Sequence, residues 1–485
     1  MSQQSLDLTG LARQAMLNHG FQLDMTPPVE DEIARLAPIP ASTNGIRDLR
    51  QLLWSSIDEA SSRDLDQLEY AEQLPNGDIR VLVGIADVDE FVAEATALDG
   101  HAYANGNSVY TGVTTFPMLP EELSTDLTSL RGGEDRVALV VELIVDAEGH
   151  LKKSNVSRAL VHNYAKLSYR EVGRWLDDGA QKPEAVRKTP GLERQIRLQW
   201  QAAERLRELR KRNGMLKFQS TEVQPVIEDG KVVGLKSPEQ NSARSLIENF
   251  MIAANGTIAD FLEARQSPGI LRIVRTPARW PRIVEIARNL GDNLPEVPNA
   301  PALSAFLERR RAADPVHFAD LSLSIVKLLG PGEYAVKEPG VPQEGHFSLA
   351  VRSYTHFTAP NRRYADLVMQ RLVKAVLSQQ DTPYTVEELS IVATHCTERE
   401  DAARKVERLL RKTIAAVSMR DRIGQEFDAI VTGAKPGGTY ARLLKPPVDG
   451  RIERGARGLQ VGDQIRVRLI DTNPERGYID FARIQ

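Results

Sequence analysis

The sequence predicts an α+β fold in several domains: a small helical N-terminal piece, a long mixed centre and a C-terminal β-barrel. Three observations predict it. The chain has 485 residues, too many for one ordinary core and enough for about three domains. Apolar residues recur at helical spacing in some stretches and at strand spacing in others. The last stretch sets several short alternating runs between glycine-rich turns, which fits a small closed barrel of the OB type. The chain is 41% hydrophobic and 26% charged. No apolar run nears the ~20 residues a membrane span needs.

Residues 1–46 read as short helices. Leu8, Leu11, Ala12, Ala15 and Met16 make one apolar face, and Glu30 to Leu36 begins another after Pro27-Pro28. This piece is either a plain helical cap or a helix-turn-helix-like nucleic-acid module. Leu68 to Leu74, the turn Pro75-Asn-Gly-Asp78 and Ile79 to Ala86 predict a hairpin. Long helices are predicted over Ala243–Glu263 and Val386–Met419. The boundary of the last domain falls at about 419, giving domains of 1–46, 47–418 and 419–485. Strands in the last are expected at Glu426–Thr432, Thr439–Leu444, Gln464–Leu469 and Tyr478–Phe481. Arginines at 442, 451, 454, 457, 466 and 468 bias it basic. Phe427, Tyr440 and Phe481 are either stacking faces for a single strand or core.

The formal net charge is −4, which neither argues for nucleic-acid binding nor excludes it. A single cysteine, Cys396, excludes an intramolecular disulfide and a cysteine-rich zinc site. The first residues carry neither the basic flank nor the apolar block of a secretory signal. A reducing cytoplasm is the expected compartment.

Two stretches carry candidate chemistry. Asp58, Asp64 and Asp66 fall within nine residues, just before the hairpin. Carboxylates gathered so closely repel one another unless a cation neutralises them, and hard oxygen ligands suit Mg²⁺ or Mn²⁺. The alternative is an acidic exposed loop. Asp87 and Asp89 lie at the end of the next strand. In Thr355-His-Phe-Thr-Ala-Pro-Asn-Arg-Arg-Tyr-Ala-Asp-Leu367, Thr358 and Pro360 signal a helix start. Arg362 and Arg363 would then sit in the first turn, where the helix dipole disfavours cations. An anion bound there would offset that. Acids that hold a divalent metal, together with arginines that fork onto phosphate, make a phosphodiester-handling set. No Walker A loop is present.

Ordered blocks along the chain resemble the RNase II / RNase R family of exoribonucleases, nearer to RNase II. They are Ile57-Asp58 with Arg63-Asp-Leu-Asp66, Gly84-Ile-Ala-Asp-Val88, Asn107-Ser-Val-Tyr110, Phe116 to Leu123, Asp135 to Leu139, Leu246 to Asn255 and Tyr354 to Leu367. The resemblance implies an RNB catalytic domain followed by an OB barrel. It implies a cytoplasmic, monomeric enzyme that processively hydrolyses single-stranded RNA from a free 3′ end. The products would be nucleoside 5′-monophosphates, with Mg²⁺ as cofactor and Mn²⁺ as a substitute. Asp58, Asp64 and Asp66, with Gln67, match the metal-site positions. Asp66 is the one closest to cleavage, and Glu407 matches a glutamate near the site. Arg362 matches an arginine on the scissile phosphate. Arg363 is either a second phosphate contact or structural. Tyr169 and Phe218 match aromatics that clamp the 3′-terminal bases, although either taken alone fits a core position. Glu248 matches a residue that reads ribose, and a helix-surface acid is its alternative.

Three departures stand out. The family usually has an aspartate where this chain has Gln67, which offers a carbonyl oxygen but no charge. Gln370 replaces a common histidine. The residues before the catalytic region are too few and too helical for the usual pair of cold-shock barrels. The rival readings are an RNA-binding protein of the same fold that has weak or no catalysis, and a deoxyribonuclease.

Overall fold

The computed structural model describes residues 6–37, 45–219, 224–228, 231–236, 239–315, 317–342, 345–351, 353–435 and 437–484. The main domain is built on a six-stranded sheet. Its longest strand, Leu151–Ser168, pairs antiparallel with Asp135–Val145 along one edge. Along its other edge it pairs in parallel with Arg47–Asp48 and then Trp54–Asp58. Trp54–Asp58 meets Gln67–Gln73, which forms the expected hairpin with Ile79–Ala86, and that strand returns to Asp135–Val145. The pairings therefore close on themselves. Ile79–Ala86 is buried at all but Arg80, as a continuous apolar run of strand length requires.

This closure brings chain ends together on one rim. Asp58 ends its strand opposite Ser168, Gln67 begins its strand opposite Ile85, and Ala86 lies opposite Ala138. Helices Leu192–Arg212, Ser242–Glu263 and Tyr364–Leu377 cover the sheet. Leu192, Ile196, Leu246, Phe250, Leu367 and Leu372 join the strand residues in one core. The Leu192–Arg212 helix also serves Gln67–Gln73 directly. Gln195 exchanges hydrogen bonds of 2.9 and 2.7 Å with the backbone of Ala71, where a neighbouring strand would otherwise bond.

Val386–Met419 is a 34-residue helix opened by a Thr385/Glu388 capping box. It threads three cores. Leu389, Val392 and Cys396 face the main one. Ala403, Val406 and Leu410 pack with Ala12, Ala15, Met16 and Phe21. Ala416 and Met419 enter the C-terminal barrel. The N-terminal helices, Leu8–Asn18 and Pro27–Ile33, are thus docked on the rest of the fold. A separate cluster of Trp280–Asn289, Ala300–Ala313 and Phe318–Leu329 has its own core around Trp280 and Phe306.

The last domain is a closed five-stranded barrel. Four strands match expectation. The fifth, Asp449–Arg454, has a single apolar inward residue, Ile452, and begins at an Asp-Gly pair that reads as a turn. Gly450 is required there, because a Cβ would meet the Phe481 ring at 2.4 Å. Phe427 and Phe481 prove to be core, and only Tyr440 is exposed. Arg442 is buried and paired with Asp320 and Asp449 at 3.2 Å each, so it ties the barrel to the helical cluster. Arg466 and Arg468 pair with Glu426, and Arg451 with Glu453.

Candidate active site

The helix after Thr358 does not start where the sequence suggested. The N–H groups of Arg362 and Arg363 both donate to Ala359 O at 3.0 Å, closing a turn. Arg363 is extended, and Tyr364 is the first helical residue. Both arginines therefore precede the first turn, and Asp366 occupies it, where the dipole favours an acid. The reason is tertiary. Ser108 N donates to Arg362 O and Tyr364 N to Gly106 O, both at 2.9 Å, so the 106–108 segment holds the chain out of the helix.

That turn aims Asn361 and Arg362 at the rim. Asp66, fully buried, accepts from Asn361 Nδ2 at 3.0 Å and from Arg362 Nε at 2.6 Å. Asn361 is fixed in turn by Thr128 Oγ1 at 2.7 Å. Breaking the Asp66–Arg362 pair leaves the Asp66 charge uncompensated and costs about 2–4 kcal/mol, less than for a fully buried pair because the Arg362 side chain is partly exposed. Asp58 Oδ1 accepts from Gln67 Nε2 at 3.0 Å, whereas Asp58 Oδ2 is buried without a partner. Burial pushes the Asp58 carboxyl up to about 6. The Gln67 hydrogen bond and Arg362 oppose this, and Asp66 and Asp64 add to it. Burial also raises Asp66, with Arg362 opposing and Asp64 adding. Asp64 is half-buried on the loop between the two.

The other expected residues are distributed around this centre. Arg362, 38% exposed at its side chain, lines a cavity of about 310 Å³ with Tyr110, Arg363, His356 and Glu407. Glu407 accepts from Tyr110 N at 3.1 Å. Arg363 is clamped by Asp366 through two bonds of 2.6 and 2.7 Å, which is the structural alternative. Tyr169 opens the helix Tyr169–Asp178 directly after the rim residue Ser168, with the Arg244 guanidinium 4.6 Å over its ring. Its hydroxyl pKa is raised by burial and then by Asp58 and Glu69. Phe218 packs, half-buried, against the Trp280 cluster and does not line the Arg362 cavity. Glu248 is exposed, 3.8 Å from Arg210. Asp87 and Asp89 are not free for a ligand: Arg158, Arg371 and Lys374 pair with them. Gln370 bonds the backbone of Ala86, Val88 and Asp89, fixing the segment after the fourth strand.

Two residues went unnoticed in the sequence. Asn361 lies between residues already singled out, and only the contact with Asp66 reveals it. Tyr110 ends one of the family blocks. It lines the cavity beside Arg362, and its place just before the Thr111–Thr114 turn gave no local signal of that.

Among the described residues no three His, Cys, Asp or Glu side chains converge as a closed metal cluster. The partnerless Asp58 Oδ2 and the mutually repelling Asp58, Asp64 and Asp66 nonetheless fit a hard divalent cation. Mg²⁺ is commonly held by one or two carboxylates, with water and substrate phosphate completing the shell.

Buried acids beside a guanidinium, with an accessible cavity, are an arrangement able to handle a phosphodiester. The chain matches the family described as RNB domain over residues 46–379. Residues 425–484 match the RNase II-type exonuclease C-terminal S1 domain. The chain belongs to the RNB family of ribonucleases. It is 30% identical to ribonuclease R of Thermotoga maritima, over 95% of this chain and 69% of that one. It is 28% identical to ribonuclease R of Escherichia coli, over 98% of this chain and 62% of that one. The nearer likeness to RNase II is not confirmed by these relatives. Mycoplasma genitalium RNase R, solved with ribose-methylated single-stranded RNA, superposes with a TM-score of 0.89 at 22% identity, covering 99% of this chain and 78% of that one. Yeast Ssd1, described as a pseudonuclease, superposes with a TM-score of 0.72 at 17% identity, covering 96% and 59%. The fold alone therefore does not decide whether a member cuts RNA.

Proposed function

We propose that this protein is a processive 3′→5′ exoribonuclease that hydrolyses single-stranded RNA to nucleoside 5′-monophosphates. The observation that carries the reading is the Asp66–Arg362–Asn361 network beside a buried Asp58 that lacks a partner. Asp58, Asp64 and Asp66 would hold Mg²⁺, or Mn²⁺ in its place, with Gln67 orienting Asp58 through its amide. When bound, the metal supplies a water acidified for attack and charge to neutralise the leaving oxygen. Arg362 spends Nε on Asp66 and turns its remaining edge to the cavity, where a phosphate fits its fork. Tyr110 lines the cavity beside that guanidinium. Glu407 holds the Tyr110 backbone and so shapes the cavity wall.

Substrate recognition follows from the surroundings. Tyr169 stands at the rim with the carboxylates, where a terminal base can stack without regard to its identity. Phe218 supplies the second face. Glu248 accepts a 2′-hydroxyl, which separates RNA from DNA. The RNA enters by a free 3′ end. Arg363 supports the phosphate site indirectly, by fixing the turn. The enzyme is a cytoplasmic monomer in this reading. Among the described residues no helix is long and apolar enough to cross a membrane.

A binding protein without catalysis is the second reading. Gln67, which removes a negative charge from the site, favours it. Substitution Asp66→Asn separates the two. Hydrolysis should fall by about 100-fold or more, while RNA still shifts on a native gel. Equal and negligible rates in wild type and variant would refute the catalytic assignment.

A further inference from the structure

The N-terminal helices dock beside the segment that shapes the Arg362 turn. Asn105 is the last residue of the helix Ala97–Asn105 and is buried although polar. Its side chain makes two bonds to the backbone of a single residue of the N-terminal piece. Gln22 N donates to Asn105 Oδ1 at 2.9 Å, and Asn105 Nδ2 donates to Gln22 O at 3.1 Å. The amide thus fills both backbone groups of Gln22, as a neighbouring strand would. Asn105 Nδ2 also meets His101 Nε2 at 3.2 Å, which fixes the amide from behind. A second tie runs through Arg399. Its Nη1 donates to His19 O at 3.1 Å, and its guanidinium lies 4.0 Å over the Phe21 ring. The stem of the same arginine covers Gly106, where a Cβ would meet Arg399 Cβ at 2.5 Å. Phe21 and Val109 share one core.

The residues that follow Asn105 hold the arginine turn. Tyr364 N donates to Gly106 O and Ser108 N to Arg362 O, both at 2.9 Å, and Asn107 bridges Arg363. Residues 105–109 are therefore fastened to 19–22 through Asn105, Gly106 and Val109, and to 362–364 through Gly106, Asn107 and Ser108. The ladder that follows, Val109–Tyr110 with Thr115–Phe116, is two residues long, so the flanking contacts carry much of the placement.

We propose that Asn105 is a positioning residue for Arg362. By clamping Gln22 it uses the docked N-terminal piece to fix the 105–109 segment, and through that segment the turn that holds Arg362 against Asp66 and the cavity. The N-terminal helices then act as a brace for the site. The inference rests on the proposed role of Arg362 at the scissile phosphate. A shift of about 1 Å in a group that meets the reacting atoms can cost about 100-fold in rate, so a loosened turn is measurable.

The test has two readouts, and the first needs no catalysis. Hydrogen exchange of the full chain without RNA compares wild type with Asn105→Ala. Exchange over 106–110 and 362–366 should quicken at least about tenfold, with Ile79–Ala86 unchanged. Phe21→Leu keeps an apolar side chain and removes the ring beneath Arg399, so it gives the same reading should Asn105→Ala not fold. Unchanged exchange over 362–366 in the folded variant overturns the proposal. The second readout is the single-turnover cleavage rate of an unstructured RNA oligomer with Mg²⁺. Asn105→Ala should lower it at least about tenfold with RNA affinity unchanged, and should lower it no further in an Arg362→Ala background. An equal loss in both backgrounds marks a merely structural residue and overturns the proposal. A wild type that does not cleave would sink the hydrolytic reading, while the exchange result still decides whether Asn105 holds the Arg362 turn.

Discussion

Replacing Asp58 with asparagine should make the main domain more stable at neutral pH, by an amount set by its titration. The folded carboxyl ionises at about 6 instead of 3.8, mainly because it is buried. A raised acid pKa means that the folded state binds more protons than the unfolded state between those two values. Wild-type stability therefore falls as pH rises through that window. A shift of about two units corresponds to about 3 kcal/mol, reached fully above about pH 7. Near pH 4 the gap should shrink below about 1 kcal/mol. Asparagine keeps an Oδ1 to accept from Gln67, so the local geometry survives. The assay is urea unfolding at several pH values in EDTA, followed by tryptophan fluorescence, since Trp54 is fully buried on the same strand as Asp58. Mg²⁺ should narrow the gap at about pH 8 by stabilising the ionised wild-type site. A gap that does not change with pH, or a variant less stable at about pH 8, would refute the reasoning.

The remaining predictions are structural and chemical. Asp366→Asn should cost about 2–4 kcal/mol, somewhat under the figure for a fully buried pair, because the Arg363 side chain keeps 30% exposure. Equilibrium unfolding measures it, and a neutral result would return Arg363 to the list of phosphate contacts. Phe481→Ala should destabilise the C-terminal barrel by about 3–5 kcal/mol, read as lost amide-exchange protection there with the main sheet unchanged. Glu248→Ala should narrow the preference for ribose over deoxyribose oligomers by about tenfold. An unchanged ratio in direct competition assigns that discrimination elsewhere.

The elements that were legible in the sequence are those whose own periodicity decides them. The Val386–Met419 helix follows the expected span, and the Gln67–Ala86 hairpin follows its turn residues. Local signals failed where tertiary contacts override them. Thr358 and Pro360 have the chemistry of a helix start, yet the chain first closes a turn on Ala359, and the bridge from Asn107 to Arg363 holds Arg363 extended, so the helix begins only at Tyr364. Phe427 and Phe481 alternate as exposed aromatics on a strand would, and barrel closure turns that face inward. The strand Asp449–Arg454 was hidden because one inward residue carries it. At the site, Asp58, Asp66 and Arg362 were visible as types and spacings. That Asp66 bonds Arg362 across 296 positions is a fact of the fold, and Asn361 and Tyr110 take their roles from it. Asn105 looked like any polar residue near a helix end. Only its two bonds to Gln22, 83 positions away, distinguish it.

The central claim is metal-dependent trimming of RNA from its 3′ end, and a labelled substrate tests it most directly. Purified protein is incubated with a 5′-labelled unstructured RNA oligomer and Mg²⁺, with EDTA as the control. The account predicts progressive shortening of the labelled strand, release of nucleoside 5′-monophosphates and no reaction in EDTA. RNA that stays intact with Mg²⁺ while shifting on a native gel would contradict it and leave a binding protein on the same fold.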